Sequence, residues 1–227
     1  MAVDSERRKT PNTHNIMTFT LGYGEDSLTL WLLRENLERF LDKFQDSSRL
    51  ENCRVLYRPS FGRGADPSFG EFDAIVLSEN CLYLCESKWD GLAGRISPRV
   101  KLNDAQITRH KMFAFYVYEC AFGSYASWER FSSGAVPIWE GEKIKKSIPP
   151  SGKLLARNLK TVLGLIRNKY STVPEIKNVL IYFHNDSRRI RPAPEVIDTH
   201  KRVVAEFYAI CVNYAEALDT GNYIAFS

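Results

Sequence analysis

Three charged residues bracket one pair of apolar runs in Gly70–Gly91, GEFDAIVLSENCLYLCESKWDG: Asp73 opens the first run, and Glu86 and Lys88 end the second. The runs meet at Ser78-Glu79-Asn80, where apolar residues give way to turn formers, so the spacing predicts a hairpin of two strands. With Glu79 and Asn80 as a two-residue loop, Ser78 pairs with Cys81, and the register carried outward sets Asp73 directly opposite Glu86. Side chains alternate along a strand, so Asp73, Glu86 and Lys88 share one face while Ser87 points to the other. A three-residue loop would slip the pairing by one residue and undo this placement.

Opposed carboxylates that lose their hydration repel each other unless a cation sits between them or protons are taken up. A hard divalent cation takes oxygen ligands and keeps several waters. Asp73, Glu86 and the backbone carbonyl of Ser87 would therefore form a partial cage for Mg²⁺, with Mn²⁺ able to substitute. Such a site favours phosphodiester hydrolysis: the ion neutralises charge on the phosphoryl oxygens and acidifies water, and Lys88 orients or deprotonates that water or neutralises the transition state. The plainer reading of the same three residues is a salt-bridge cluster at the mouth of a hairpin. Strands apolar on both faces are expected to be covered by helices, which puts these charges on a buried rim and favours the site.

Asp73 followed by Glu86-Ser87-Lys88 resembles the PD-(D/E)xK nuclease superfamily, whose signature is an acidic residue on one strand and Glu-x-Lys on the next. GEFDAIV…LYLCESK is similar to resolvase-like endonucleases, and CESKWDGLAGRI to the nuclease-related domain family; the resemblance spans roughly Gly24 to Phe115. Phe72 stands where the signature has proline. The resemblance implies a restriction-endonuclease-like three-layer α/β core, with a central mixed sheet flanked by helices. It also implies Mg²⁺-dependent hydrolysis of DNA in repair, recombination or restriction. Two further positions follow from it: Glu25 near the start of the first helix as a metal ligand, and Gln106 with His110 in the place of a Gln-x-x-x-Tyr element, histidine replacing tyrosine.

Read from the residues alone, Glu25 lies at the edge of its helix's apolar stripe, whereas Glu35 and Glu38 fall on the solvated side; an acid in a first turn also suits the helix dipole. Gln106 is equally the third residue of a capping box behind Asn103, and His110 reads as a polar helix residue. Trp89 reads as a core anchor in preference to a platform for an unstacked base.

The elements that must position these groups follow in order. Residues 1–16 read as a flexible arm, and 17–227 as one domain with an inserted basic region around 124–170. The domain opens on a helix through Leu30, Leu33, Leu37, Phe40, Leu41 and Phe44. The strand CRVLYRP and the hairpin come next, then a helix from Asn103 to near Gly123. A Ser-, Gly- and Pro-rich stretch precedes the helix KLLARNLKTVLGLIRNKY. The strand KNVLIYFHN, a long helix from Pro194 to about Leu218 and a final strand NYIAF complete the chain.

A chain of 227 residues with 44% hydrophobic and 12% aromatic residues can bury a large core. The opening MAVDSERRKTPNTHN lacks an apolar signal core, and no window of eighteen apolar residues follows, so a cytoplasmic location and no membrane are expected. Five cysteines without CxxC spacing read as buried thiols. The net charge is +4, and Lys143–Lys169 carries eight basic and no acidic residues. Lys153, Arg157 and Lys160 can face a phosphate backbone while Leu155, Leu159 and Val162 pack inward, though a merely solvated face is the commoner fate of such a helix. Arg188 and Arg189 in SRRIRP extend the candidate DNA-binding surface. DNA is the expected partner, and cutting both strands calls for a homodimer. The alternative is a nucleic-acid-binding or assembly module of the same fold without turnover.

Overall fold

The hairpin forms in the expected register. In the computed structural model, which describes residues 20–61, 70–89, 99–139, 141–144, 148–185, 195–197, 206–218 and 223–226, strand β3 (Ala74–Leu77) runs antiparallel to β4 (Cys81–Trp89). Ala74 lies opposite Cys85 and Leu77 opposite Leu82, and the Ser78 N–H donates to the Cys81 carbonyl at 3.0 Å, which closes a two-residue turn. The turn is tied from below by the carboxylate of Asp46. It accepts from the Tyr83 hydroxyl at 2.7 Å, from Ser48 N–H at 3.0 Å and Oγ at 2.6 Å, and from Asn80 Nδ2 at 2.8 Å. Burial alone would raise the Asp46 pKa, but donors from Ser48, Ser78, Tyr83 and Asn80 outweigh it and hold the group well below the usual carboxylate range.

Around the hairpin, β2 (Arg54–Tyr57) pairs antiparallel with β3, β8 (Glu175–His184) parallel with β4, and β10 (Phe207–Asn213) parallel with β8. Among the described residues this is the largest sheet, five strands in the order β10-β8-β4-β3-β2. On one face sit α1 (Gly24–Glu35) and α2 (Leu37–Asp42), where Leu28, Leu32, Phe40 and Leu41 pack on Val76, Tyr83, Val179 and Phe183. A two-stranded sheet of β1 (Thr20–Gly22) and β11 (Ile224–Phe226) lies beside them. The other face carries α3 (Asp104–Phe115), α4 (Trp128–Gly134) and α5 (Leu154–Lys169), and Met112, Phe113, Phe131, Leu159 and Leu163 cover Ile75, Leu77, Leu82 and Leu84. The protein is thus α/β, a mixed sheet between two helical layers. Short pairs β5 (Arg99–Lys101) with β9 (Glu195–Ile197) and β6 (Ile138–Trp139) with β7 (Glu142–Lys143) lie outside the main sheet.

The first helical stretch is broken at Asn36, whose φ of −132° and ψ of 32° are non-helical. The helix after Asn103 ends as α3 at Phe115 and runs on as a π-helical turn over Tyr116–Ala121. The long helix expected from Pro194 to Leu218 is not formed: Glu195–Ile197 and Phe207–Asn213 are strands. FYAICVN is covered on both sides, with Ile210 and Val212 in the α1-side core and Phe207, Ala209 and Cys211 against Leu102, Ile107, Leu180 and Tyr182. An apolar run buried on both faces has no period that separates strand from helix. The arm at 1–16, together with Arg188 and Arg189, lies outside the described residues. Among the described residues no helix is long and apolar enough to cross a membrane, and all five cysteines are free thiols.

Asp46→Ala removes the acceptor shared by Tyr83, Ser48 and Asn80, and should lower the unfolding free energy by about 2–4 kcal/mol in urea titrations. Because the folded pKa is depressed, Asp46 stabilises the wild type above the unfolded pKa of roughly 3.9, and that contribution fades as the pH falls through the folded value. An Asp46→Ala protein as stable as wild type at pH 7 would remove this pin from the account.

Candidate active site

The paired ladder ends at Ala74 and Cys85. The Asp73 N–H donates to the carbonyl of Cys85, the residue already paired with Ala74, at 3.2 Å, which holds Asp73 near Glu86 at the rim of the sheet. Alternation along β4 puts Glu86 and Lys88 on the α3 side with Leu82 and Leu84, and Ser87 on the α1 side with Tyr83 and Cys85. Asp73 Oδ2 accepts from the Ser87 N–H at 2.7 Å, and among the described residues Oδ1 has no hydrogen-bond partner. Lys88 Nζ donates to the Ser87 carbonyl at 2.6 Å and lies 3.8 Å from Glu25 Oε1. Glu25 belongs to the opposite layer but reaches over the strand end. Its helix is tied to β4 there by Thr29 Oγ1, 2.7 Å from Ser87 Oγ and 2.8 Å from the Glu25 carbonyl oxygen.

Glu86 is 1% exposed and already surrounded. Its Oε2 accepts from Gln106 Nε2 at 2.7 Å; its Oε1 accepts from Arg109 Nε at 3.2 Å and Nη2 at 2.5 Å, and lies 3.3 Å from His110 Nε2. His110 Nδ1 lies 2.8 Å from Asn178 Oδ1 on β8, so both ring nitrogens face oxygen acceptors. The sequence of α3 explains the convergence: positions 106, 109 and 110 stand at i, i+3 and i+4 and share one face of the helix. Its start is held by a reciprocal capping box in which Asn103 accepts from the Gln106 N–H at 2.9 Å and Gln106 Oε1 accepts from the Asn103 N–H at 3.1 Å. Gln106 therefore both caps the helix and contacts Glu86.

Two further residues make room for this cluster. Gly70 has φ +68°, a conformation that side chains rarely adopt, and a Cβ on it would lie 2.2 Å from Arg109 Nη1 and push the guanidinium aside. Phe72, at the position where the superfamily signature has proline, is fully buried. Its ring stacks edge-on to His110 at 4.8 Å and lies 5.4 Å from the Arg109 guanidinium carbon. His110 is 0% exposed, which corrects its reading as a polar helix residue. Arg109 had no mark of its own in the sequence. The usable signal was its i+3 spacing from Gln106.

No family model, curated protein or solved structure matches the chain. Its chemistry therefore has to be read from the charges themselves, and they are unevenly balanced. Burial favours the neutral form of Glu86, but His110 and Arg109 more than offset it and hold its pKa below the usual glutamate value. Asp73 goes the other way: burial, with the nearby charge of Glu86, pushes it up to about 7, only partly opposed by the Ser87 N–H. Burial likewise raises Glu25 against the pull of Lys88. Two acids at one strand end lack a full counter-charge, which is the condition a hard cation relieves.

Among the described residues no three His, Cys, Asp or Glu side chains converge as a metal-holding group. A water-rich Mg²⁺ site needs few protein ligands, and the oxygens at this strand end that would hold one are Asp73 Oδ1, the Ser87 carbonyl, the remaining lone pair of Glu86 Oε2, and Glu25. The basic residues divide. Lys153, Arg157 and Lys160 are exposed on α5, whereas Arg167 donates to the Ala121 carbonyl at 2.8 Å and Lys169 to the Asn52 carbonyl.

Asp73 binds a proton in the folded state at a pH where the unfolded chain has lost it, so metal-free protein should lose stability as the pH rises from about 4 through about 7. Asp73→Asn removes that penalty and should raise unfolding free energy at pH 8 in a chelator by on the order of 2–4 kcal/mol, with little change at pH 4. Equal effects at both pH values would show that Asp73 is not short of counter-charge.

Proposed function

We propose that the chain is a restriction-endonuclease-like, Mg²⁺-dependent nuclease that hydrolyses phosphodiester bonds of DNA. The observation that carries this reading is the under-compensated pair Asp73 and Glu25, meeting Glu86 and Lys88 at one end of the β3–β4 hairpin. The order of elements supports it as well: a helix, an antiparallel three-strand meander, a covering helix on the other face, and a strand parallel to the third. A divalent cation held by Asp73, Glu86, Glu25 and the Ser87 carbonyl would neutralise phosphoryl oxygens and acidify water. Lys88 supplies the other part. Its ammonium, oriented by the Ser87 carbonyl and Glu25, holds the attacking water in place or neutralises charge on the phosphoryl group as the bond breaks.

DNA would approach along α5. Asn158 donates to the Ser60 carbonyl, just past the rim end of β2, and Lys169 bonds Asn52, just before its other end. The N-terminal half of α5, with Lys153 and Arg157, therefore lies toward the end of the sheet that carries Asp73. One observation favours a second reading, a binding module of the same fold without turnover: both Glu86 oxygens already have protein partners, so its charge is satisfied without a metal.

Lys88→Ala should keep DNA affinity in Ca²⁺ while single-turnover cleavage in Mg²⁺ falls by about 10²-fold or more. Wild-type protein that binds DNA but cleaves no duplex, single-stranded or branched substrate in Mg²⁺ or Mn²⁺ gives the reading to the binding module. Replacing Lys153, Arg157 and Lys160 together by alanine should weaken binding to all sequences. It should also reduce the slope of log affinity against log salt by about 0.9 for each lost duplex phosphate contact. An unchanged slope makes this face of α5 an ordinary solvated one.

A further inference from the structure

Beside the rim, on the flank away from α5, lies a group of three aromatic side chains, two of them largely exposed. Tyr23 precedes α1 by one residue and Glu25 by two. Trp89 follows Lys88, and Tyr223 leads into β11. The Tyr23 ring meets Trp89 edge to face at 5.4 Å and lies 5.9 Å from the ring of Tyr223. Trp89 is the anchored member: it packs against the α1-side core and its Nε1 donates to the Tyr214 hydroxyl at 3.0 Å. The two tyrosines stay open, at 51% and 49% exposure, and Leu21 beside them is 48% exposed.

Tyr23 also occupies the N-cap of α1, a position where Ser, Thr, Asp or Asn would bond a free helix N–H, and it makes no side-chain cap bond. Gly24, at φ +82°, lets the backbone turn over Trp89 into the helix.

We propose that Tyr23, Trp89 and Tyr223 form a stacking platform for an unpaired nucleobase next to the scissile phosphate, which makes single-stranded or locally unpaired DNA the substrate class of the nuclease proposed above. A base within duplex has both π faces covered by its neighbours; an unpaired one offers a face to a tyrosine. Charge complementarity selects this occupant over an apolar protein segment. Lys88 stands beside the platform and Lys153 and Arg157 line the opposite flank, so one strand can cross the rim with its phosphates toward cations and a base on the rings.

The test is fluorescence anisotropy in Ca²⁺ with a 15-nucleotide oligo-dT and a 15-base-pair duplex, on wild type and on Tyr23→Phe, Tyr23→Leu and Tyr223→Leu. Far-UV circular dichroism and thermal melting confirm that each variant is folded. Tyr23→Phe keeps a ring and should bind as wild type; the leucine variants keep apolar bulk without the π face and should each lose about 5- to 150-fold on oligo-dT, with a clearly smaller loss on duplex. Unchanged affinity in the leucine variants, or equal losses on both DNAs, overturns the platform. So does sedimentation in which wild type is a dimer and the leucine variants are monomers, since the rings would then face a second copy. The outcomes separate from the parent reading. Metal-dependent cleavage with ring-independent binding leaves the nuclease and sinks the platform, and ring-dependent binding without cleavage in any metal does the reverse.

Discussion

The nearness of Asp73 to Glu86 depends on the length of one turn. Had the loop between Ser78 and Cys81 held three residues, the slip of one would have moved Glu86 away from Asp73 and unpaired the apolar faces of β3 and β4. Two features hold the register. The Asp46 carboxylate gathers Asn80, Ser48 and Tyr83 beneath the turn. The alternation of residues 74–77 and 81–85 between two separately filled cores makes the slipped pairing costly on both faces at once. The rim charges occupy their positions because the hairpin behind them has a single low-energy alignment.

At that rim the protein treats its acids differently. Glu86 sits deep and is given the Arg109 guanidinium, the His110 ring and an amide from a single helical face, so its negative charge is compensated inside the fold. Asp73, one strand away, has a backbone N–H and the repulsion of Glu86, and Glu25 has Lys88 at the outer limit of an ion pair. The arrangement separates a fixed anion from two that remain in want of positive charge. It is the same logic by which neighbouring carboxylates acquire different protonation and different duties in one site.

The two flanks of the rim are built from different layers. The α3–α5 layer contributes Lys153, Arg157 and the partners of Glu86, whereas the α1 layer contributes Glu25, Tyr23 and, through β11, Tyr223. Thr29 and Ser87 join the α1 layer to β4 through a buried pair of hydroxyls, so the position of Glu25 is set by the same strand that carries Lys88. Each layer meets the sheet along its own apolar core, and the polar residues that project past the strand ends come together only because both layers stop there.

What the sequence determined by itself was local and periodic. The register of the hairpin, the face shared by Glu86 and Lys88, the capping box at Asn103 and the basic helix all follow from spacings of two, three and four residues, which the backbone imposes directly. What only the tertiary structure decided was which groups meet across those elements. Arg109 carries no mark that separates it from surface residues of α3, and His110 read from the residues alone is a polar helix residue, yet packing turns that face onto Glu86, and Gly70, distant in sequence, leaves room for Arg109. Burial decides charge in the same way: Asp73 and Glu86 are both plain acids in the sequence, and only the number of donors around each in a water-poor rim drives their proton affinities apart. The run Phe207–Asn213 shows the limit from the other side. An apolar segment covered on both faces has no period to read, and its identity as a strand rests on the vacant edge of β8 that it fills.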